Sequence, residues 1–425
     1  MSVVDAFARR DVRKRCWLWL PLLLVACGAP RTTPDGQGVS VDPGPCGRGL
    51  VVVESDYQSS NVSLLGFDGS VLSESILSSS TASSGFGVQL SGDVVPASGR
   101  QDGPEIVLID RYPAGVLRFV ELATARVTRE LSVATGFRAN PQDYLALAAD
   151  RAYVARYEAN ANPGRQAWDA GGDVLIVDPS VPAITGRIDL SLALANEPAQ
   201  FSPHPARLLE VSGRVFALLA AYADDYSSAV DSRLIEIDPA NDSLLSTLVL
   251  DGLRGCTGLA VSPDEGTLAV SCTGDDLRST EPKLGGSGLA LIDIEDVPRV
   301  TTRYEASELG ALVGFGVAFA APEAVLFSAL GHFDDAGAPA AQDGLFQLHT
   351  DSGRVVQLWQ SASEPFTLGG PRCAASCGVC FVTDAKHAGG SVLRYRVDES
   401  GYLALPSTIR VETRIGLPPR YLGAF

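Results

Sequence analysis

The sequence predicts an all-β fold, because short apolar strands alternate with turn signals and helical periodicity is almost absent. Strands of one type recur at intervals of about 55 residues along the whole chain. Their positions are 50–56, 105–111, 152–158, 215–222, 267–273, 325–331 and 379–385. A repeat of this length indicates an array of similar supersecondary units in a single domain.

Each recurring strand belongs to a larger unit. A second strand follows it after a polar loop, at 61–67, 115–121, 173–179, 233–239, 288–294, 344–350 and 391–397. A third strand comes next in several units, at 184–190, 244–250 and 354–360. Most units also have a preceding strand rich in small residues, for example at 85–90, 256–262 and 314–320. Seven units of four antiparallel strands predict a seven-bladed β-propeller.

The two chain ends predict how the ring closes. Residue 50 already starts the second strand of blade one, so that blade lacks its inner strand. The segment Tyr421–Phe425 resembles the missing strand, and we expect it to pair with 50–56 and remove a free edge. Two β-sandwiches are the alternative architecture, but they explain neither the regular spacing nor the short last strand.

The first residues have the character of an export signal. Five basic residues precede an apolar run at 16–25, which is too short to cross a bilayer as a helix. The following Leu24–Gly28 segment, LVACG, resembles a bacterial lipobox. The resemblance implies removal of 1–26, lipid attachment to Cys27 and, with Gly28 next, an outer-membrane location. An ordinary signal peptide with an incidental cysteine is the alternative.

The expected domains are the signal at 1–26, a lipidated cysteine with a flexible tether at 27–47, and the propeller at 48–425. The tether is predicted from a segment rich in Pro, Gly and Thr. The formal charge of the chain is −17, which excludes nucleic acid as a partner because phosphate binding needs a basic surface. We expect a monomer that contacts the membrane through its lipid anchor only.

The repeat also resembles a known family. The segment 258–271 has the strand, Ser-Pro-Asp turn and strand of YVTN-type propellers, with its turn at Ser262–Gly266. Strands ending at Asp178 and Asp293 match the same pattern. The family includes lactonases, surface-layer propellers and many exported proteins. The resemblance therefore implies a seven-bladed fold and leaves the function open.

Six cysteines remain after those of the signal and the anchor, and an even number in an exported protein predicts disulfides. Cys256 and Cys272 lie symmetrically about the hairpin tip at Asp264, so they should face one another across two strands. The other four are Cys46, Cys373, Cys377 and Cys380. The last three also resemble the iron–sulfur motif of radical S-adenosylmethionine enzymes. We favour two disulfides, with three pairings open.

The loops between the second and third strands of the blades all emerge on one end of the propeller, which we call the loop face. Those at 157–171, 223–231, 274–287 and 331–343 are long. Three of them carry acidic pairs, Asp224-Asp225, Asp275-Asp276 and Asp334-Asp335. Repeated carboxylates could bind Ca²⁺ or a cationic partner, although Asp is also a common turn residue.

Three of the four histidines are expected on the loop face: His204, His332 and His387. With Asp334 they could supply a general base for hydrolysis of a lactone. The sequence contains no G-x-S-x-G nucleophile motif. Candidate partner contacts on the same loops are Asp275, Arg278, His332 and Asp343.

The preferred hypothesis is a non-catalytic binding or scaffold module whose loop face binds a protein or a saccharide. The alternatives are a lactonase-type hydrolase that uses the same face and a purely structural component of the envelope. No cofactor is expected apart from possible Ca²⁺.

Overall fold

The computed structural model describes residues 38–81, 89–275, 284–362 and 364–425. The signal at 1–26 and Cys27 lie outside these ranges, as do Asp276 and Arg278. The described chain forms seven four-stranded antiparallel sheets around one axis, which confirms the seven-bladed β-propeller. No helix in the described part is long and apolar enough to cross a bilayer.

Blades one to three contain the first eleven strands in chain order. Blade one contributes β1 (Leu50–Ser55), β2 (Ser60–Leu65) and β3 (Val71–Ser78). Blade two contains β4 (Asp93–Pro96), β5 (Glu105–Tyr112), β6 (Val116–Glu121) and β7 (Arg126–Ser132). Blade three contains β8 (Pro141–Ala148), β9 (Arg151–Ala159), β10 (Gly171–Asp178) and β11 (Ala183–Asp189), followed by a 3₁₀ turn at Ser191–Leu194.

Blades four and five continue the same order. Blade four contains β12 (Pro205–Val211), β13 (Arg214–Leu219), β14 (Asp231–Asp238) and β15 (Ser243–Arg254). Blade five contains β16 (Cys256–Val261), β17 (Thr267–Thr273), β18 (Ser287–Asp293) and β19 (Arg299–Glu305). A single-turn helix, α1 (Ala306–Leu309), leads to blade six.

Blade six carries an additional hairpin. Its strands are β20 (Val313–Ala321), β21 (Ala324–Ala329), β24 (Gly344–His349) and β25 (Arg354–Gln360), and the hairpin is β22 (His332–Phe333) with β23 (Pro339–Ala341). Blade seven contains β26 (Arg372–Ala374), β27 (Val379–Asp384), β28 (Ser391–Arg396) and β29 (Ser407–Ile409), with 3₁₀ turns at Ala375–Cys377 and His387–Gly389. The last strand is β30 (Pro419–Ala424).

The C-terminal strand closes the ring as the sequence predicts. β30 pairs antiparallel with β1 and becomes the inner strand of blade one, with Leu50 opposite Ala424 and Val53 opposite Tyr421. The Phe425 ring is buried in the core between blades one and two. The inner edge of β1 is therefore paired by the other end of the chain.

Strand alternation explains how the blades hold together. In β1, Val51 and Val53 pack in the apolar cluster between blades one and two. Leu50 and Val52 point to the opposite side and pack against blade seven. Because successive side chains of a strand point to opposite faces, a buried strand such as β1 contributes to two cores. Seven clusters of this kind lie between neighbouring blades.

One strand was predicted in the wrong place. The inner strand of blade two was expected at 85–90 on its small residues, but it is β4 at Asp93–Pro96. Residues 82–88 lie outside the described ranges, and Gln89 and Leu90 are not in a strand. Val94 and Val95 are buried on opposite sides of β4 and pack in different clusters. A strand of only four residues gives too short a pattern to be recognised.

Three disulfides confirm that the cysteines are paired. Cys256 is bonded to Cys272 across the β16–β17 hairpin, as expected. Cys373 is bonded to Cys380, and Cys46 to Cys377, which selects one of the three open pairings. The second of these joins the segment before blade one to blade seven, across the point where the ring closes.

Residues 38–48 lie against the propeller. They contact the end opposite the loop face, which carries turns such as 97–104 and 122–125 and which we call the turn face. The Val39 amide donates a hydrogen bond to the Leu122 carbonyl at 2.7 Å, and the Arg48 amide to the Phe425 carbonyl at 2.7 Å. The tether expected at 27–47 is thus held to the fold over its described second half.

Candidate functional site

A cleft of about 410 Å³ opens on the loop face between blades two, three and four. This volume lies within the range of roughly 300–1,000 Å³ that small-molecule sites occupy. Its walls combine polar and charged side chains with apolar surface, which includes the rings of Tyr112 and Phe137. The lining residues that matter below are Arg111, Tyr112, Phe137, Arg138, Asn140, Glu158, Asn160, His204 and Asp224.

His204 forms the floor of the cleft. It stands immediately before β12 and has a φ of 49°, a left-handed conformation that is uncommon for residues other than Gly and Asn. The side chain is only 1% exposed. The carbonyls of Tyr157 and Tyr222 lie near the ring, but neither ring nitrogen has a hydrogen bond of normal geometry. A strained backbone and buried ring nitrogens without a well-formed hydrogen bond, next to a cleft, indicate a functional position.

Burial makes this imidazole neutral. Loss of hydration lowers the pKa of His204 to about 4, and the nearby carboxylate of Asp224 opposes the shift only in part. At neutral pH the ring therefore has one nitrogen that donates and one that accepts.

Three tyrosine rings, those of Tyr157, Tyr222 and Tyr226, surround His204. The ring of Tyr157 lies 4.6 Å from the imidazole and that of Tyr226 lies 5.3 Å from it, centroid to centroid. Tyr226 donates its hydroxyl to the Glu158 carboxylate at 2.5 Å. Asn140 donates its amide to the same carboxylate at 3.2 Å. The floor of the cleft is therefore held by direct contacts from blades three and four.

Two arginines supply positive charge. Arg111 is fixed from several sides: its guanidinium donates to the Asp93 carboxylate and to the Gln142 amide oxygen, each at 3.0 Å. Arg138 is exposed, and its guanidinium lies 5.0 Å from the centre of the Tyr112 ring. Arg138 is therefore the cation better placed to reach a ligand.

Sequence reasoning found only His204 and Asp224 among these residues. The sequence does contain a repeated motif that marks the position of Phe137, Arg138 and Asn140. The segments 137–141 and 201–205 read FRANP and FSPHP, so each has Phe three residues before an Asn-Pro or His-Pro step. Both proline residues begin an inner strand, and Asn140 has a φ of 48°, almost the value of His204. This repeated step identifies two adjacent walls of one cleft.

The other predicted catalytic residues do not join His204. His332 lies in the hairpin of blade six and Asp334 caps its turn, accepting the Ala338 amide at 2.7 Å. His387 packs edge-on against Trp359 at 4.9 Å. In the described chain no hydrogen bond or ring contact connects His204, His332 and His387, and only His204 lines the cleft.

Within the described ranges, the carboxylates of the acidic pairs do not form one cluster. Asp224 accepts a hydrogen bond from Ser202, Asp225 from Ser227, and Asp275 forms an ion pair with Arg254 at 2.7 Å. Asp335 also has an interaction within the fold. Among the residues that the structure describes, no group of three His, Cys, Asp or Glu side chains could hold a metal ion. Ca²⁺ binding stays a prediction, and the described residues offer no group of side chains that would coordinate the ion.

Of the expected partner contacts, Asp343 differs from its predicted role. It is 1% exposed, and its carboxylate accepts the backbone amides of Gly331, Phe366, Thr367 and Leu368. It connects the blade-six loop to the segment leading into blade seven. A carboxylate used in this way has no atom to offer a partner. His332 is half-buried.

Comparison with known proteins supports the fold. No protein-family model matches the chain, and no curated protein sequence matches it. A Bacteroides fragilis protein described as a candidate 6-phosphogluconolactonase is similar in structure, with a TM-score of 0.53 and 11% identity over 90% of this chain and 99% of that one.

A Bacteroides uniformis protein with the same description has a TM-score of 0.53 at 11% identity, over 88% of this chain and 98% of that one. A Lactobacillus plantarum protein has a TM-score of 0.52 at 12% identity over the same shares. These structures share the overall architecture of this chain. At such low identity the likeness concerns the fold alone.

Proposed function

We propose that this chain is an exported, lipid-anchored propeller that binds a saccharide-type ligand in the loop-face cleft without covalent chemistry. The observation that carries the proposal is the cleft itself, with a neutral, buried His204 at its floor and polar groups on three sides. Blades two, three and four each contribute one wall, so a rigid scaffold positions the contacts in advance.

The lining chemistry favours a polyhydroxylated ligand. A hydroxyl both donates and accepts hydrogen bonds, and it needs both kinds of partner when water is displaced. Glu158 and Asp224 accept, Arg138 donates, and the amides of Asn140 and Asn160 do both. The rings of Tyr112 and Phe137 offer apolar surface to the carbon face of a sugar ring.

A lactonase-type hydrolase is the second candidate. One observation favours it: His204, Glu158 and Asp224 share one cleft. The protonation state of His204 argues against it, because a general base works best with a pKa near the working pH, whereas burial lowers this pKa to about 4. A base so weak takes a proton from water poorly at neutral pH. Binding therefore remains the preferred function.

Arg138→Ala tests the proposal. The purified protein is first applied to an array of neutral and acidic oligosaccharides, and the strongest binder is then titrated by calorimetry. We expect the variant to lose about tenfold or more in affinity, since a hydrogen bond to a charged group contributes roughly 1.5–3 kcal/mol.

Arg100→Ala is the matched control, because Arg100 is also exposed but belongs to a loop of the turn face. Its affinity should equal that of the unmodified protein. A panel of lactones tests the second candidate in parallel. Absence of sugar binding, together with lactone turnover that His204→Asn abolishes, would replace the binding proposal with the hydrolase.

A further inference from the structure

The chain approaches the propeller from the turn face. Cys46 is bonded to Cys377, which lies in the turn between β26 and β27. Arg48 donates its guanidinium to the Gln101 carbonyl at 3.0 Å, and Val39 donates its amide to Leu122. Gln101 and Leu122 belong to turns of blade two on the same end of the ring. The whole described N-terminal segment is therefore held at the end opposite the cleft.

The length of the preceding chain limits where this end can lie. Only eleven residue steps separate Gly38 from Cys27, and a fully extended chain of that length spans at most about 40 Å. A blade strand such as β9, with nine residues, is about 30 Å tall before any loop is added. A chain that leaves the turn face would use about three quarters of this reach to pass the strands of a blade, and more to pass its loops. A lipid on Cys27 therefore keeps the turn face next to the membrane.

Exposed apolar side chains stand on the same face. Val181 is 65% exposed, Val297 76% and Leu405 92%. They lie in the turns between the third and fourth strands of blades three, five and seven, so they are distributed around the ring. Prolines precede or follow Val181 and Val297 in the chain and restrict the backbone there. Single exposed apolar side chains are common on protein surfaces, so the significance of these three lies in their place on the face from which the N-terminal segment leaves the propeller.

We propose that in the lipidated protein the turn face rests on the lipid surface. Val181, Val297 and Leu405 enter the interfacial layer, and the cleft is directed away from the membrane. An acyl anchor brings these three side chains to the membrane surface. Burial of their small apolar areas there adds to the membrane affinity that the anchor provides. The inference rests on the proposed lipid attachment at Cys27 and is independent of what the cleft binds.

Fluorescence quenching in vesicles tests this orientation. The full-length lipidated protein is reconstituted in phosphatidylcholine vesicles that contain a lipid with a nitroxide near the headgroup. Val297→Trp adds a reporter to the turn face. Leu192→Trp is the matched control, because Leu192 is 73% exposed and follows β11 on the loop-face end. Both variants keep the two tryptophans of the mature chain, Trp168 and Trp359.

We expect the nitroxide to quench most of the fluorescence added by Val297→Trp and almost none of that added by Leu192→Trp. The opposite pattern would show the loop face against the lipid and overturn the inference. Quenching of neither reporter, in protein whose mass shows the acyl chains, would mean that the propeller stands clear of the surface, and would overturn it as well. A mass without acyl chains would refute the anchor, while sugar binding in the cleft could still be measured separately.

Discussion

At the scale of single residues, burial determines the charge state of two side chains that no motif identifies. His204 in the cleft is neutral at pH 7 because loss of hydration lowers its pKa. Glu54 in β1 is 1% exposed, and burial together with the charges of Glu412 and Glu74 raises its pKa to about 8. Neither shift is visible in the sequence, because each depends on neighbours that come from distant strands and loops.

Glu54→Gln is expected to stabilise the protein at neutral pH. Asn61 and Ser63 donate hydrogen bonds to the Glu54 carboxyl, which a glutamine oxygen can also accept. The folded pKa is raised above the usual 4.5, so the contribution of Glu54 to stability is fully present below pH 4.5 and is lost as the pH rises through about 8. At pH 7 the variant should gain up to about 3 kcal/mol in the free energy of unfolding.

Urea unfolding at pH 4, 5.5, 7 and 8.5 measures this difference. The gain of the variant should grow with pH and be smallest at pH 4. Glu399→Gln, which changes an exposed carboxylate in a turn of blade seven, is the control and should show no such trend. A gain that is constant over all four pH values would show that Glu54 does not titrate in this range.

At the scale of strands, the sequence located most elements to within one or two residues. β17 occupies 267–273 as predicted, and β9 extends the predicted 152–158 by one residue at each end. Buried strands alternate between two cores, and that constraint leaves a regular apolar pattern. The inner strand of blade two was missed because β4 has only four residues. The cleft was missed because its walls come from loops, which carry no comparable period.

The three disulfides should differ in their contribution to stability. In the loop-closure description, stabilisation grows with the number of residues between the cysteines. These separations are 331 residues for Cys46–Cys377, 16 for Cys256–Cys272 and 7 for Cys373–Cys380. Replacing both cysteines by alanine should therefore cost most for the first pair, about 3 kcal/mol for the second and less for the third.

Thermal unfolding of the three double-alanine variants under non-reducing conditions gives the order of their melting temperatures. Reduction of the unmodified protein should lower its melting temperature below that of any single-pair variant. If the variant without Cys46–Cys377 were the most stable of the three, this disulfide would contribute nothing to ring closure. The pairing of β30 with β1 would then be the main link between the two chain ends.

At the scale of the whole molecule, the architecture was predictable and the site was not. A closed ring explains three features of the sequence together: seven similar repeats, a missing inner strand at the start and an additional strand at the end. His204 and Asp224 were named as loop-face residues, but Arg138 and Glu158 were not, because only the ring brings blades two, three and four around one cleft. A repeat pattern predicts neighbours within a blade well and side-chain convergence between blades poorly.

Removal of residues 419–425 tests how far the fold depends on closure. The deletion exposes the inner edge of β1 and removes the buried Phe425 ring, whose loss alone typically costs roughly 3–5 kcal/mol. We expect the truncated chain to melt at a lower temperature and to associate through the free strand edge.

A synthetic peptide of sequence PRYLGAF should add to β1 in trans and restore both the monomer and the melting temperature. A scrambled peptide of the same composition should do neither, since main-chain pairing alone does not bury Phe425 and Leu422 in their cores. Equal rescue by both peptides, or a truncated chain as stable as the full one, would show that the ring is held by blade packing without the terminal strand.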